Sequence, residues 1–183
     1  GYDQSTCHQI YQSFQNPMTV AVMLAISKTQ VGMQFLPFLL YMGGLLGDAF
    51  IQWNLHGSPT SSSVQYGYTS SGGFISLNDN VYRSAGGLQL EASALIHEAV
   101  ESYYAIADGI RTQATTHMDY VAQWYAGEYQ QQAGWSTTTT LADGTKAYGA
   151  YGLTYAQWAG STDFSFYSGE PGGAVTSPSI APG

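Results

Sequence analysis

Cations are what this sequence most lacks. Lys28, Arg83, Arg111 and Lys146 stand alone against twelve acids, giving a formal net charge of −8. So few cations cannot neutralise a run of phosphates, which argues against nucleic-acid binding. They offer an anionic membrane surface no attraction either. Cysteine is nearly absent: Cys7 stands alone, which excludes an internal disulfide and leaves the redox compartment open. It reads as a small buried hydrophobe or a free thiol. Long apolar runs are also missing. Met18 to Ile26 is short, and Phe35 to Phe50 is interrupted by Pro37, three glycines and Asp48. Neither supplies the ~20 apolar residues of a membrane span, so no membrane insertion is expected.

Charged residues make up only 9% of the chain, against a typical ~25%. Polarity comes instead from Ser, Thr, Gln, Gly and fifteen tyrosines. Such uncharged polar surfaces suit the outside of the cell, so the expectation is a secreted or cell-surface protein. The opening Gly1-Tyr2-Asp3 lacks an initiator Met and carries no signal peptide, which this reading takes to have been removed. A hydrophobic fraction of 44% in 183 residues is enough for one cored domain with tails.

Hydrophobic periodicity divides the chain. Ile10, Tyr11 and Phe14 predict an amphipathic helix over 4–15, broken by Asn16-Pro17. Met18 to Ser27 reads as either strand or helix. Ser27 and Thr29 offer N-cap oxygens to a helix through Val31, Phe35, Phe38 and Leu39, with a kink or late start at Pro37 and an end at Gly43-Gly44. Strands are expected at 50–55, 64–69 and 74–78, the last two joined by a Ser70-Ser71-Gly72-Gly73 turn. Asp79 and Asn80 read as turn residues. From Leu88 the period becomes helical as far as Ala107, with a stop at Asp108-Gly109. A further helix runs from about Thr116 to Gln132. The order of elements is α+β. Residues 1–134 read as the domain. Residues 135–167 read as an aromatic, Gly-rich extension that can pack on it, and 168–183 as a tail or linker.

The chemistry-bearing segment is His97-Glu98-Ala99-Val100-Glu101. Side chains four apart stack on one helix face, so His97 and Glu101 can grip one metal ion from successive turns. Glu98, offset by one residue, can lie beside the ion as a general base. This is the logic of H-E-x-x-H, with Glu in the second His position. A carboxylate is a legitimate zinc ligand. Its added negative charge makes bound water less acidic and moves the preference toward manganese or calcium. The following helix opens His117-Met118-Asp119. Either His117 or Asp119 can supply a third ligand, with spacing favouring Asp119. The plain alternative makes either one a helix cap.

Leu95 to Tyr103 resembles the active-site helix of minimal zincin-like, gluzincin-type metallopeptidases, with HExxE in place of HExxH. Asp119, Ala122, Tyr125 and Ala126 match the spacing of the next helix in that family. The layout resembles it over residues 20–133. The resemblance implies a small antiparallel or mixed sheet packed against an active-site helix and its neighbours. It implies Zn2+ on His97, Glu101 and Asp119, or His117 in place of Asp119, with Glu98 as the catalytic base. It also implies that strand 74–78 is a sheet edge along which an extended peptide or protein substrate lies, so Phe74 and Ser76 are candidate substrate-binding residues.

His56 sits in a Gly/Ser/Pro loop. It reads as a solvated histidine, or as a group that polarises a substrate carbonyl if the loop folds over the site. The plain reading of His97 and Glu98 is two solvent-facing polar residues on an amphipathic helix. The functional expectation is a secreted, metal-dependent peptidase. The alternative is a non-catalytic module of the same fold, acting as an extracellular binding or structural domain. Oligomeric state is left open.

Overall fold

A computed structural model describes the backbone of residues 4–108 and 115–134 and three short strands between 139 and 154. Side chains are described for 4–106, 121–123 and 125–134. The chain is α+β, with six helices and a small mixed sheet among the described residues.

Local sequence sets the first helices. Helix α1 spans Gln4–Ser13. Asn16 then caps α2 (Pro17–Ser27), its Oδ1 accepting the Met18 N–H at 2.9 Å, with Pro17 in the first turn where a missing N–H costs nothing. The segment that read as strand or helix is therefore helix. Thr29 caps α3 (Gln30–Leu46) by accepting the Gly32 N–H at 2.9 Å. Two expected boundaries of this helix are not found. α3 does not start late at Pro37 but contains it, because Phe35, Leu36 and Leu39 are buried around it and their packing outweighs the lost bond. Gly43-Gly44 does not end it either. A Cβ on Gly43 would lie 2.4 Å from the buried Phe14 ring, so this glycine lets α1 and α3 approach closely, and Gly47 is the C-cap.

The sheet has strand order β1-β3-β2: β1 (Ile51–Leu55), β2 (Gly67–Thr69) and β3 (Ile75–Asn78). β3 pairs parallel with β1 (Ile51 with Ile75) and antiparallel with β2 (Thr69 with Ile75). β3 is thus the central strand. The expectation that 74–78 forms an edge is corrected: both sides of its backbone are already paired. The expected strand 64–69 shortens to its last three residues. The 56–66 loop must cross the end of β3 to carry the chain from one sheet edge to the other.

Asn78, at that end, holds the crossing. Its Nδ2 donates to Gly57 O at 3.1 Å and to Gln65 O at 3.0 Å, clamping both ends of the loop. Its Oδ1 accepts from Val81 N at 2.9 Å and caps α4 (Asp79–Tyr82), so Asp79 and Asn80 open a short helix rather than a turn. Asn78→Ala leaves two carbonyls and an N–H without these partners, at ~1 kcal/mol for each bond. The expected loss is about 2–3 kcal/mol, read as a melting temperature lower by roughly 5–10 °C. A change within scan error would remove Asn78 from this role.

Helix α5 (Gly87–Tyr103) is the centre of the molecule, touching α2, α3, α4, α6 (Thr115–Gln132), β2 and β3. Every residue from Glu91 to Tyr103 is buried. It is therefore not the amphipathic surface helix of the plain reading. A π-helical turn, Tyr104–Asp108, follows it where the α-helix was expected to continue. The core closes with edge-to-face aromatic pairs, Phe35 with Tyr125 and Phe38 with both Phe50 and Tyr103. Beyond α6, β4 (Thr139–Thr140), β5 (Lys146–Tyr148) and β6 (Leu153–Thr154) form a second sheet, with β5 and β6 against α6. The tail at 168–183 and the aromatic residues at 149–152 and 155–158 lie outside the described residues. No helix among the described residues is long and apolar enough to cross a membrane.

Candidate metal centre

The i, i+4 spacing brings the His97 and Glu101 side chains together. His97 Nε2 lies 2.8 Å from Glu101 Oε2, and Glu98 Oε2 lies 4.0 Å from the same nitrogen. One ligand atom from each of the three residues falls within 4.8 Å of the others. All three residues are buried, at 8%, 6% and 6% exposure for His97, Glu98 and Glu101. Burial is the informative part, because acids this enclosed need a partner or a cation.

The donor set suits a divalent ion. Four-coordinate zinc with bonds of ~2.0–2.1 Å places its donors about 3.4 Å apart. The 2.8 Å pair therefore opens by roughly half an ångström to admit one, and the 4.0 Å contact shortens by a similar amount if Glu98 ligates. One imidazole with two carboxylates is richer in oxygen than the usual zinc set, which keeps manganese and calcium in contention. His97 must present a deprotonated Nε2, so ion uptake releases protons and weakens in acid.

Glu98 is held from the sheet. Thr69 of β2, fully buried, donates its hydroxyl to Glu98 Oε1 at 2.7 Å and sits 3.2 Å from Glu98 O. Gly67 lies on the same face of β2, where a Cβ would stand 2.9 Å from Glu98 Cγ. Neither residue was a candidate from sequence. The period-two spacing of 67 and 69 was visible, but their contact with α5 is not a local property.

A third buried acid of α5 lies on the same helix face, seven residues before Glu98. Glu91 Oε1 accepts the Asn78 N–H at 2.6 Å, while Oε2 is buried without a hydrogen-bond partner. Burial pushes its carboxyl up to about 8. The Asn78 N–H works against that, and the charge of Glu98 adds to it. On α6, burial raises Glu128 to about 7. Sequence reading missed both, because an acid on a helix is expected to face water.

Other candidates are placed differently. His56 Nδ1 is 2.8 Å from Asp79 Oδ1, and Arg83 reaches Asp79 Oδ2 at 3.2 Å, so two exposed side chains flank a partly buried acid at the loop base. Burial tends to raise the Asp79 carboxyl, but hydrogen bonds and charge from His56 and Arg83 prevail and hold it below its ordinary value. His56 does not join the cluster. Ser76 is paired in the central strand opposite Gln52 and Tyr68, and half-exposed Phe74 stands at the turn. α6 begins at Thr115, so His117 and Asp119 fall within its first turns rather than at a cap. Their side chains, and with them the choice of third ligand, lie outside the described residues. Ala122, Tyr125 and Ala126 on the same helix are buried.

No protein-family model matches this chain, and neither any curated protein nor any solved structure matches it.

Proposed function

We propose that this protein is a metal-dependent hydrolase of zincin-like fold, acting on peptide or protein substrates. The observation that carries the reading is the buried His97–Glu98–Glu101 cluster, with Glu98 fixed from the sheet. His97 and Glu101 would hold the ion, with Asp119 or His117 as third ligand. A bound divalent ion supplies polarisation of a carbonyl and acidification of water. Glu98 accepts the proton from the attacking water and returns it to the leaving amine.

An extended substrate would lie along β2, the antiparallel edge beside Glu98, rather than along the paired β3. The surplus of acids favours neutral or basic substrates, modestly at physiological salt. Secretion fits the charge-poor composition.

The low exposure of the three donors favours a second reading, in which the ion is structural and the module is a non-catalytic extracellular domain. One experiment separates the two. Elemental analysis of the purified protein is expected to find about one divalent ion per chain. Chelation is expected to abolish cleavage of an unstructured protein substrate, and zinc or manganese to restore it. Bound ion without turnover supports the structural reading. Cleavage that survives chelation, or a protein that takes up no ion, removes the metallohydrolase reading.

A further inference from the structure

Glu98 has two carboxylate oxygens, and the surrounding contacts treat them differently. Oε1 accepts from the Thr69 hydroxyl at 2.7 Å, whereas Oε2 is on the His97 side, 4.0 Å from Nε2. A threonine hydroxyl has one proton to donate. Of its two acceptors here, Glu98 O at 3.2 Å and Oε1 at 2.7 Å, the shorter contact is to the carboxylate, as a charge-assisted bond would be.

The donor is itself well fixed. Thr69 is fully buried and β-branched, so its χ1 is stiff. The β2–β3 hairpin that carries it is closed by Ser70 N to Phe74 O and Gly73 N to Ser70 O, both 2.9 Å. The far side of the hairpin is fastened to α5 one helical turn beyond Glu98, where Ser102 Oγ donates to Gly73 O at 2.6 Å. Two attachments a turn apart stop the hairpin sliding along the helix. Gly67 completes the bracket, because a Cβ there would stand 3.0 Å from Oε2 and crowd the carboxylate.

We propose that Thr69 is a positioning residue: its hydroxyl engages Glu98 Oε1 so that Oε2 is the oxygen that takes the proton from water. This rests on Glu98 acting as the base. A threonine that merely satisfies its own buried hydroxyl would be served by Glu98 O alone, and its loss would not reach turnover.

The test compares Thr69→Val, which keeps the shape and removes the donor, with Thr69→Ser, which keeps the donor. Thr69→Val is expected to lower kcat about 10- to 100-fold with KM and ion stoichiometry little changed, and Thr69→Ser to restore it. In crystals of the ion-loaded protein, the Glu98 carboxylate should hold one orientation in wild type and Thr69→Ser, and leave it in Thr69→Val. Should Thr69→Val fail to fold, Thr69→Ala carries the same comparison. Equal kcat in the Val and Ser variants overturns the proposal, as does an unmoved Glu98 carboxylate in the Val variant. If wild type hydrolyses nothing, the metallohydrolase reading fails by itself, and the crystallographic comparison still decides what Thr69 does to Glu98.

Discussion

Glu98→Gln is expected to lower peptide turnover by about 10²- to 10⁴-fold, the range by which a positioned general base accelerates proton transfer. Glutamine keeps the size of the side chain and an oxygen for the Thr69 hydroxyl, so the packing against Gly67 survives. It removes only the basic oxygen. His97 and Glu101 are untouched, so elemental analysis should find the same ion content as in wild type. The split between turnover and ion content is what identifies a base. If Glu98→Gln loses the ion as well as the activity, Glu98 is a ligand, as its 4.0 Å approach to His97 Nε2 permits, and the base must be sought elsewhere. If Glu98→Gln turns over like wild type, the catalytic reading of the cluster is wrong. His97→Ala makes the complementary case, with ion content and turnover lost together.

What could be read in the sequence was what depends on neighbours along the chain. The cap at Thr29 announces α3 because a side-chain oxygen and an N–H three residues on make a local bond, whereas the equally local cap at Asn16 reads only as a break and leaves α2 open between strand and helix. The pairing of His97 with Glu101 follows from helix geometry alone. Where sequence reading failed, distant packing had decided the outcome. Pro37 signals a kink or late start and Gly43-Gly44 a helix end, yet α3 starts before the one and runs past the other because its apolar residues are buried and Phe14 occupies the space over Gly43. The central place of β3 depends on a parallel partner more than twenty residues back, and strand order leaves no mark in a short apolar run. Thr69 is 29 residues from Glu98. Nothing in a three-residue strand shows which of its hydroxyls will face an acid. The third ligand rests where the sequence left it, between Asp119 and His117.

Glu91 makes the second large expectation, concerning stability rather than turnover. Its carboxyl, fully buried on α5, is pushed up to about 8 from an ordinary 4.5. A carboxyl raised in the folded state stays protonated there while the unfolded chain ionises. The folded state therefore holds an advantage that is complete below about 4.5 and is lost as pH rises toward about 8. The slope approaches 1.4 kcal/mol per pH unit, so the loss over that window is on the order of several kcal/mol. Glu128, raised to about 7, adds a second and shorter slope of the same sign. Glu91→Gln keeps an oxygen for the Asn78 N–H and cannot ionise. Denaturant melts from pH 5 to pH 9 should then show wild type weakening steadily to about pH 8. Glu91→Gln should fall less steeply, with Glu128 supplying what slope remains, and should be the more stable protein at the alkaline end. Parallel curves for the two proteins would mean that Glu91 ionises in the fold as easily as in water. The same neutrality bears on the His97–Glu98–Glu101 cluster. A neutral Glu91 spares Glu98 the repulsion of another buried charge on the same face of α5. Ionising Glu91 places its charge on the face of α5 that carries Glu98, close enough to be felt.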